Sequence, residues 1–94
     1  MELISNTILI IEDDAGLSEL LAEKVDECGY QSVCVQSGGA ALDWLKEHTP
    51  FLIILDYRLP DMNGKEFIKV MNQKWFTLNR IIHTPRTLRQ STRE

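Results

Sequence analysis

Apolar and polar positions fall into blocks whose period switches repeatedly between strand and helix. Thr7-Ile8-Leu9-Ile10-Ile11 is an unbroken, β-branched apolar run of strand length, which predicts a strand buried on both faces. Asp13, Asp14 and Gly16 break it, and from Leu17 the spacing becomes helical. Leu17, Leu20, Leu21, Val25 and Cys28 then form one predicted apolar stripe. Gly29 is placed to end that helix in a left-handed conformation. Gln31 to Val35 predicts a second strand with Val33 and Val35 on one face. Ser37 is the expected N-cap of a helix over 38–48, with Ala41, Leu42 and Leu45 inward. The leading pair Gly38-Gly39 weakens the first turn of that helix. Phe51 to Leu55 predicts a third doubly buried strand, and Asp56 to Gly64 a loop with Asn63-Gly64 as turn pair. A third helix would bury Phe67, Ile68, Met71 and Trp75, and Arg80 to Thr84 would form a fourth short strand stopped by Pro85.

Strands alternating with helices imply right-handed crossovers and a parallel sheet, so the expected class is α/β. Ligands of such sheets sit beyond the carboxyl ends of the strands. The first strand ends in Glu12-Asp13-Asp14 and the third in Asp56. Neighbouring strands would bring these carboxylates to one sheet edge. Clustered carboxylates repel, and Mg²⁺, which takes oxygen ligands, relieves them. Acids that precede a helix also serve as plain N-caps, so either triplet or lone Asp56 carries little by itself. Their combination at two strand ends points to chemistry.

The 94 residues allow a single domain. With 44% hydrophobic residues, disorder is excluded as an expectation. The net charge of −4 offers no bulk attraction for nucleic acid. That charge is uneven: residues 1–47 hold ten acids and two bases, residues 48–94 four acids and eight bases. No apolar run nears the roughly 20 residues of a membrane span, and no secretory signal is read at the N-terminus. Cys28 and Cys34 are too few for a disulfide scaffold, and their offset suits no usual zinc pairing. They are expected as buried thiols in a reducing, cytoplasmic setting. Trp44 and Trp75 are expected to pack, His48 to favour a helix end, and His83 to be structural.

The runs Ile8-Leu9-Ile10-Ile11-Glu12-Asp13-Asp14 and Leu55-Asp56-Tyr57-Arg58-Leu59-Pro60-Asp61-Met62-Asn63-Gly64 resemble the receiver domain of two-component response regulators. The second run is the more specific: a strand-ending aspartate, Leu-Pro three residues on, then Met-Asn-Gly. The resemblance implies a flavodoxin-like (CheY-like) sheet in the order 2-1-3-4 with three helices, incomplete against the family. It implies that Asp56 is the phosphoacceptor and that Glu12, Asp13, Asp56 and the backbone carbonyl of Arg58 hold Mg²⁺. Asp14 matches a position usually outside the direct ligands, and Pro60 and Gly64 match loop-shaping residues. A histidine kinase or phosphotransfer protein would be the donor, with Asp56 attacking its phosphohistidine. The domain would signal rather than act as an enzyme beyond autophosphatase activity. A Mg²⁺-dependent phosphohydrolase would need a second acid two residues after its nucleophile, where this chain has Arg58. A truncated or pseudo-receiver acting only as an interaction module is the other alternative.

Thr84 is the candidate switch hydroxyl, 28 positions after Asp56, with Thr87 as an alternative. Past Thr84 the resemblance is lost, so residues 1–84 are read as an incomplete receiver and 85–94 as an irregular basic tail holding Arg86, Arg89 and Arg93. The family's fourth and fifth helices, fifth strand and its lysine have no counterpart here, and Lys65, Lys69 and Lys74 do not replace that lysine. An exposed fourth strand and a bare sheet face are expected, and with them a homodimer or marginal stability. No nucleic-acid or membrane partner is expected.

Overall fold

A computed structural model describes residues 6–56, 58–74 and 81–84, without the side chains of Lys74, His83 and Thr84. The expectations for Trp75, Thr87 and the 85–94 segment, and for the His83 ring, lie outside the described residues. Among the described residues, four strands alternate with three helices: β1 (Thr7–Ile11), α1 (Ala15–Glu27), β2 (Gln31–Val35), α2 (Gly38–Leu45), β3 (Leu52–Asp56), α3 (Gly64–Lys74) and β4 (Ile81–Thr84). These four strands pair in parallel, in the order β2-β1-β3-β4. This is the strand order that the receiver resemblance implies.

The order also explains the helix layers. The chain steps from β1 outward to β2, then reverses through β3 to β4. A constant crossover hand therefore sends α1 to one face and α2 and α3 to the other. Leu9, Ile11, Ile53 and Leu55 face α2 and α3, where Ala41, Leu45, Phe67 and Met71 complete a buried cluster. Ile8 and Ile10 face α1 and pack with Val25, Leu21, Ala22, Leu52 and Ile54. Doubly buried β1 and β3 thus follow from their unbroken apolar runs. Each large aliphatic residue fully removed from water contributes about 1.5–3 kcal/mol.

The expected left-handed glycine closes α1. Gly29 has φ of 90°. Its amide donates to Asp26, and the Tyr30 amide donates to Val25, the double closure of a Schellman cap. Tyr30 then packs beside Val25 and stacks on Phe51, with ring centroids 5.2 Å apart. Ser37 caps α2 as expected, accepting from Ala40 N at 3.1 Å.

Several expectations are corrected. α2 ends at Leu45, short of His48. Its last carbonyls accept tight i→i−3 bonds from Lys46 and Glu47, and His48 Nδ1 donates to the Trp44 carbonyl at 2.9 Å while its ring stacks on Trp44. The buried stripe of α1 is Leu17, Ser18 and Val25 with Leu21 and Ala22 beside it, whereas Leu20 is 42% exposed. The small Ser18 lies against the fold where the larger Leu20 was expected. Cys28 and Cys34 are exposed rather than buried. Cys28 is the C-cap of α1, and Cys34 lies on β2, which among the described strands is at the edge, beside β1. Asn63-Gly64 is a helix start, not a free turn: Glu66 N donates to Asn63 Oδ1 at 2.8 Å and Asn63 N to Glu66 Oε1 at 3.0 Å, a capping box.

Among the described helices, α1 alone lies on its face of the sheet. An apolar groove of about 320 Å³ opens there, lined by Leu21, Val25, Tyr30, Phe51, Leu52 and Ile54. Ile82, in register with Ile54, continues this face and is 52% exposed. No described helix is long and apolar enough to cross a membrane.

Candidate metal and phosphoacceptor site

β1 and β3 are hydrogen-bonded neighbours, with Ile11 level with Leu55. Their next residues, Glu12 and Asp56, therefore emerge side by side at the carboxyl edge of the sheet. Both are 1% exposed. Asp13 beside them is exposed, and one carboxylate oxygen from each of the three lies within 4.8 Å of the others. Two buried carboxylates and a third at their rim place three like charges in a small, partly dry space. An all-oxygen donor set of this kind suits a hard divalent cation. Sulfur and imidazole, which would favour zinc or copper, are absent from the cluster. The residues present therefore fit a hard-metal site.

Local hydrogen bonds hold these groups. Glu12 N donates to the Val35 carbonyl at 3.0 Å, tying the end of β1 to β2. Asp14 N donates to Glu12 Oε2 at 3.0 Å. Asp14 itself is the N-cap of α1, its Oδ1 accepting from Leu17 N at 3.0 Å, so it stands outside the cluster. Arg58 N donates to Asp56 Oδ1 at 3.2 Å, which folds the following chain back over the aspartate. The Arg58 side chain is exposed. Thr84 is level with Asp56 across the β3–β4 pairing, so its backbone borders the site.

The loop after Asp56 is a small closed structure. Arg58 and Asn63 form an antiparallel bridge, and Leu59 N donates to the Met62 carbonyl at 3.1 Å. Its far end is fixed by the Asn63–Glu66 capping box. Its middle reaches α2: Gly38 N donates to Asp61 Oδ1 at 2.9 Å and Gly39 N to Asp61 Oδ2 at 2.8 Å. Desolvation works to raise the Asp61 carboxyl, but the amides of Gly38, Gly39 and Asp61 itself outweigh it and hold the group below its ordinary value. Met62 packs over the same helix start, where a Cβ on Gly38 would lie 2.6 Å from its sulfur. The two glycines that cost α2 about 1 kcal/mol each in helix propensity are what let this loop dock. Sequence reasoning missed Asp61, because its partners are more than twenty residues away. It also missed the capping box, although Asn63-Gly64-Lys65-Glu66 carries the local signature.

A parallel α/β sheet in the order 2-1-3-4, with acids gathered beyond the carboxyl ends of its two central strands, defines a CheY-like fold. The chain belongs to the response regulator receiver domain family, which matches residues 8–94 and so extends past Thr84. The polar-differentiation response regulator DivK of Brucella ovis is 33% identical over 66 residues, covering 70% of this chain and 54% of the relative. The chain thus spans about half the length of the curated relatives it matches. A sensor protein from Polaromonas sp. JS666 has a TM-score of 0.78 at 27% identity, over 94% of this chain and 71% of its own. A CheY-like receiver domain from Methylobacillus flagellatus shares the fold, with a TM-score of 0.76 at 23% identity over 85% and 69% of the two chains.

Proposed function

We propose that this chain is a phosphoacceptor receiver, taking a phosphoryl group from a histidine kinase or phosphotransfer protein onto Asp56. The observation that carries this reading is the meeting of Glu12, Asp13 and Asp56 within 4.8 Å at the carboxyl edge of the sheet. Glu12, Asp13, Asp56 and the Arg58 carbonyl would hold Mg²⁺. When bound, that ion would neutralise charge on the phosphoryl oxygens.

The chain's own residues do the rest. An Asp56 oxygen attacks the phosphorus of a phosphohistidine. The new P–O bond forms as the P–N bond breaks, and the imidazole nitrogen leaves with the bonding pair and takes up a proton. The bond from Arg58 N to Asp56 Oδ1 orients the carboxylate for this attack. Thr84, level with Asp56, is the proposed switch hydroxyl. The phosphohydrolase alternative lacks its second acid, since Arg58 stands in that place. The setting proposed is the cytoplasm, in two-component signalling.

Incubation with acetyl phosphate and Mg²⁺ tests the reading by intact mass. One labile phosphoryl adduct is expected, and none when a chelator replaces Mg²⁺. No adduct under conditions that label a complete receiver would favour the interaction module, and steady phosphate release the hydrolase.

The apolar groove beside α1 supports a further proposal, that two copies of this chain associate. Ile82, on that face, is a large apolar residue left exposed. Sedimentation velocity is expected to resolve a concentration-dependent dimer that Ile82→Lys shifts to monomer. A wild-type chain that stays monomeric at every concentration would count against it.

A further inference from the structure

The loop that follows Asp56 is anchored to a helix that contributes nothing to the carboxylate cluster. Asp61 spans the first two amides of α2, with one carboxylate oxygen on each, at 2.9 and 2.8 Å. Ser37 already satisfies the third, Ala40 N, at 3.1 Å. Three of the four amide donors left open at a helix start are therefore filled, two of them from a different part of the chain. α2 has no acidic residue of its own in its first turn to compete for them. A Cβ on Gly38 would collide with Met62, and one on Gly39 would come within 3.3 Å of Asp61 Oδ2, so this start of the helix is shaped to receive the loop. The same loop carries Arg58 and closes on itself through the Arg58–Asn63 bridge and the bond from Leu59 N to the Met62 carbonyl.

We propose that Asp61 is a positioning residue, a clamp that docks the Arg58–Asn63 loop on α2 and thereby holds the Arg58 carbonyl where a Mg²⁺ ion at Glu12, Asp13 and Asp56 would need it. The inference rests on the receiver reading above, because it takes Arg58 as a ligand of that ion. Its physical content is separate. A carboxylate with both oxygens on backbone amides fixes position and orientation together, which a single bond does not. The capping box at Asn63 fixes only the far end of the loop. Without Asp61, the segment between Arg58 and Met62 keeps its internal bond and the packing of Leu59 and Met62 on the core, but loses its hydrogen bonds to α2.

Ser37→Ala is the control, because it removes a cap from the same helix without touching the loop. Both Asp61→Ala and Ser37→Ala are expected to lower the melting temperature. Mg²⁺ alone, titrated by calorimetry, separates them. Asp61→Ala should weaken binding about tenfold, the usual scale for loss of a residue that orients a ligand, while Ser37→Ala stays within about twofold of wild type. Asp61→Asn, which keeps one acceptor oxygen, should fall between, and it serves as the test variant if the alanine form fails to fold. Amide exchange at Leu59, read without metal, should quicken in the Asp61 variants and not in Ser37→Ala. Equal Mg²⁺ affinity in wild type and Asp61 variants, or unchanged exchange at Leu59, overturns the clamp alone. A wild-type chain that binds no Mg²⁺ overturns the receiver reading and the clamp's role with it.

Discussion

Asp56→Asn is expected to abolish the phosphoryl adduct entirely while leaving the fold intact. The carboxamide has nearly the volume and shape of the carboxylate, so β3 and its pairing with β1 and β4 need not move. It is no nucleophile toward phosphorus, and it lacks the charge that helps hold a divalent cation. Intact mass after incubation with acetyl phosphate and Mg²⁺ is the direct measurement. A second expectation comes from the same substitution. Asp56 is 1% exposed and sits with Glu12 and Asp13 in a cluster of like charge. Removing one charge relieves repulsion, so without metal the variant should melt at a higher temperature than wild type. Added Mg²⁺ should narrow the gap, because it stabilises the wild-type cluster more than the variant's. An adduct retained in Asp56→Asn would place the phosphoryl group elsewhere.

Phe67→Ala is expected to cost about 3–5 kcal/mol, measured by urea denaturation. Phe67 is fully buried on α3 and belongs to the cluster that joins Leu9, Ile11, Ile53 and Leu55 to α2. The truncation loses the transfer energy of the ring and leaves a cavity between a helix and two central strands, which can close only if α3 shifts. A chain of this size holds roughly 5–15 kcal/mol in all. The variant should therefore lose a large share of its stability, and a fraction of it should be unfolded near body temperature. Lys65→Ala, on the exposed side of the same helix, should stay within about 0.5 kcal/mol of wild type.

The central place of β1 and β3 was legible because they are short apolar runs bounded by acids and by Pro50, whereas the full strand order came with the receiver resemblance. Runs of that kind have one home in an α/β fold, the middle of the sheet. The carboxylate cluster was legible for the same reason, since a residue that ends a central strand has its position set by the strand. Elements at the margins were less so. The α1 stripe was misjudged by weighing Leu20 for its hydrophobicity, while close packing admitted the smaller Ser18. The cysteines were misjudged by their usual preference for burial, which the exposed face of edge strand β2 and the C-cap of α1 override. The Asp61 clamp had no local signal at all. It joins two segments whose proximity exists only once β1 and β3 have paired, and only the folded chain reveals why α2 begins with two glycines.

The pairing of β1 with β3 also bears on how the chain reaches this state. Ile8 lies level with Leu52, and everything between them, including α1, β2 and α2, must be threaded out of the way before the two strands can meet. Among the described strands there is no hairpin, so no pair of them can zip from a short turn. The rate-limiting step is expected to be closure of this central seam, with β1–α1–β2 as the more local unit able to form ahead of it. Until the seam closes, β1 and β3 each present an open apolar edge, and the crowded carboxylates at their ends do not yet exist as a cluster. The charge repulsion of the site thus arises as the seam closes, so it bears on that closing step and not on the earlier β1–α1–β2 unit.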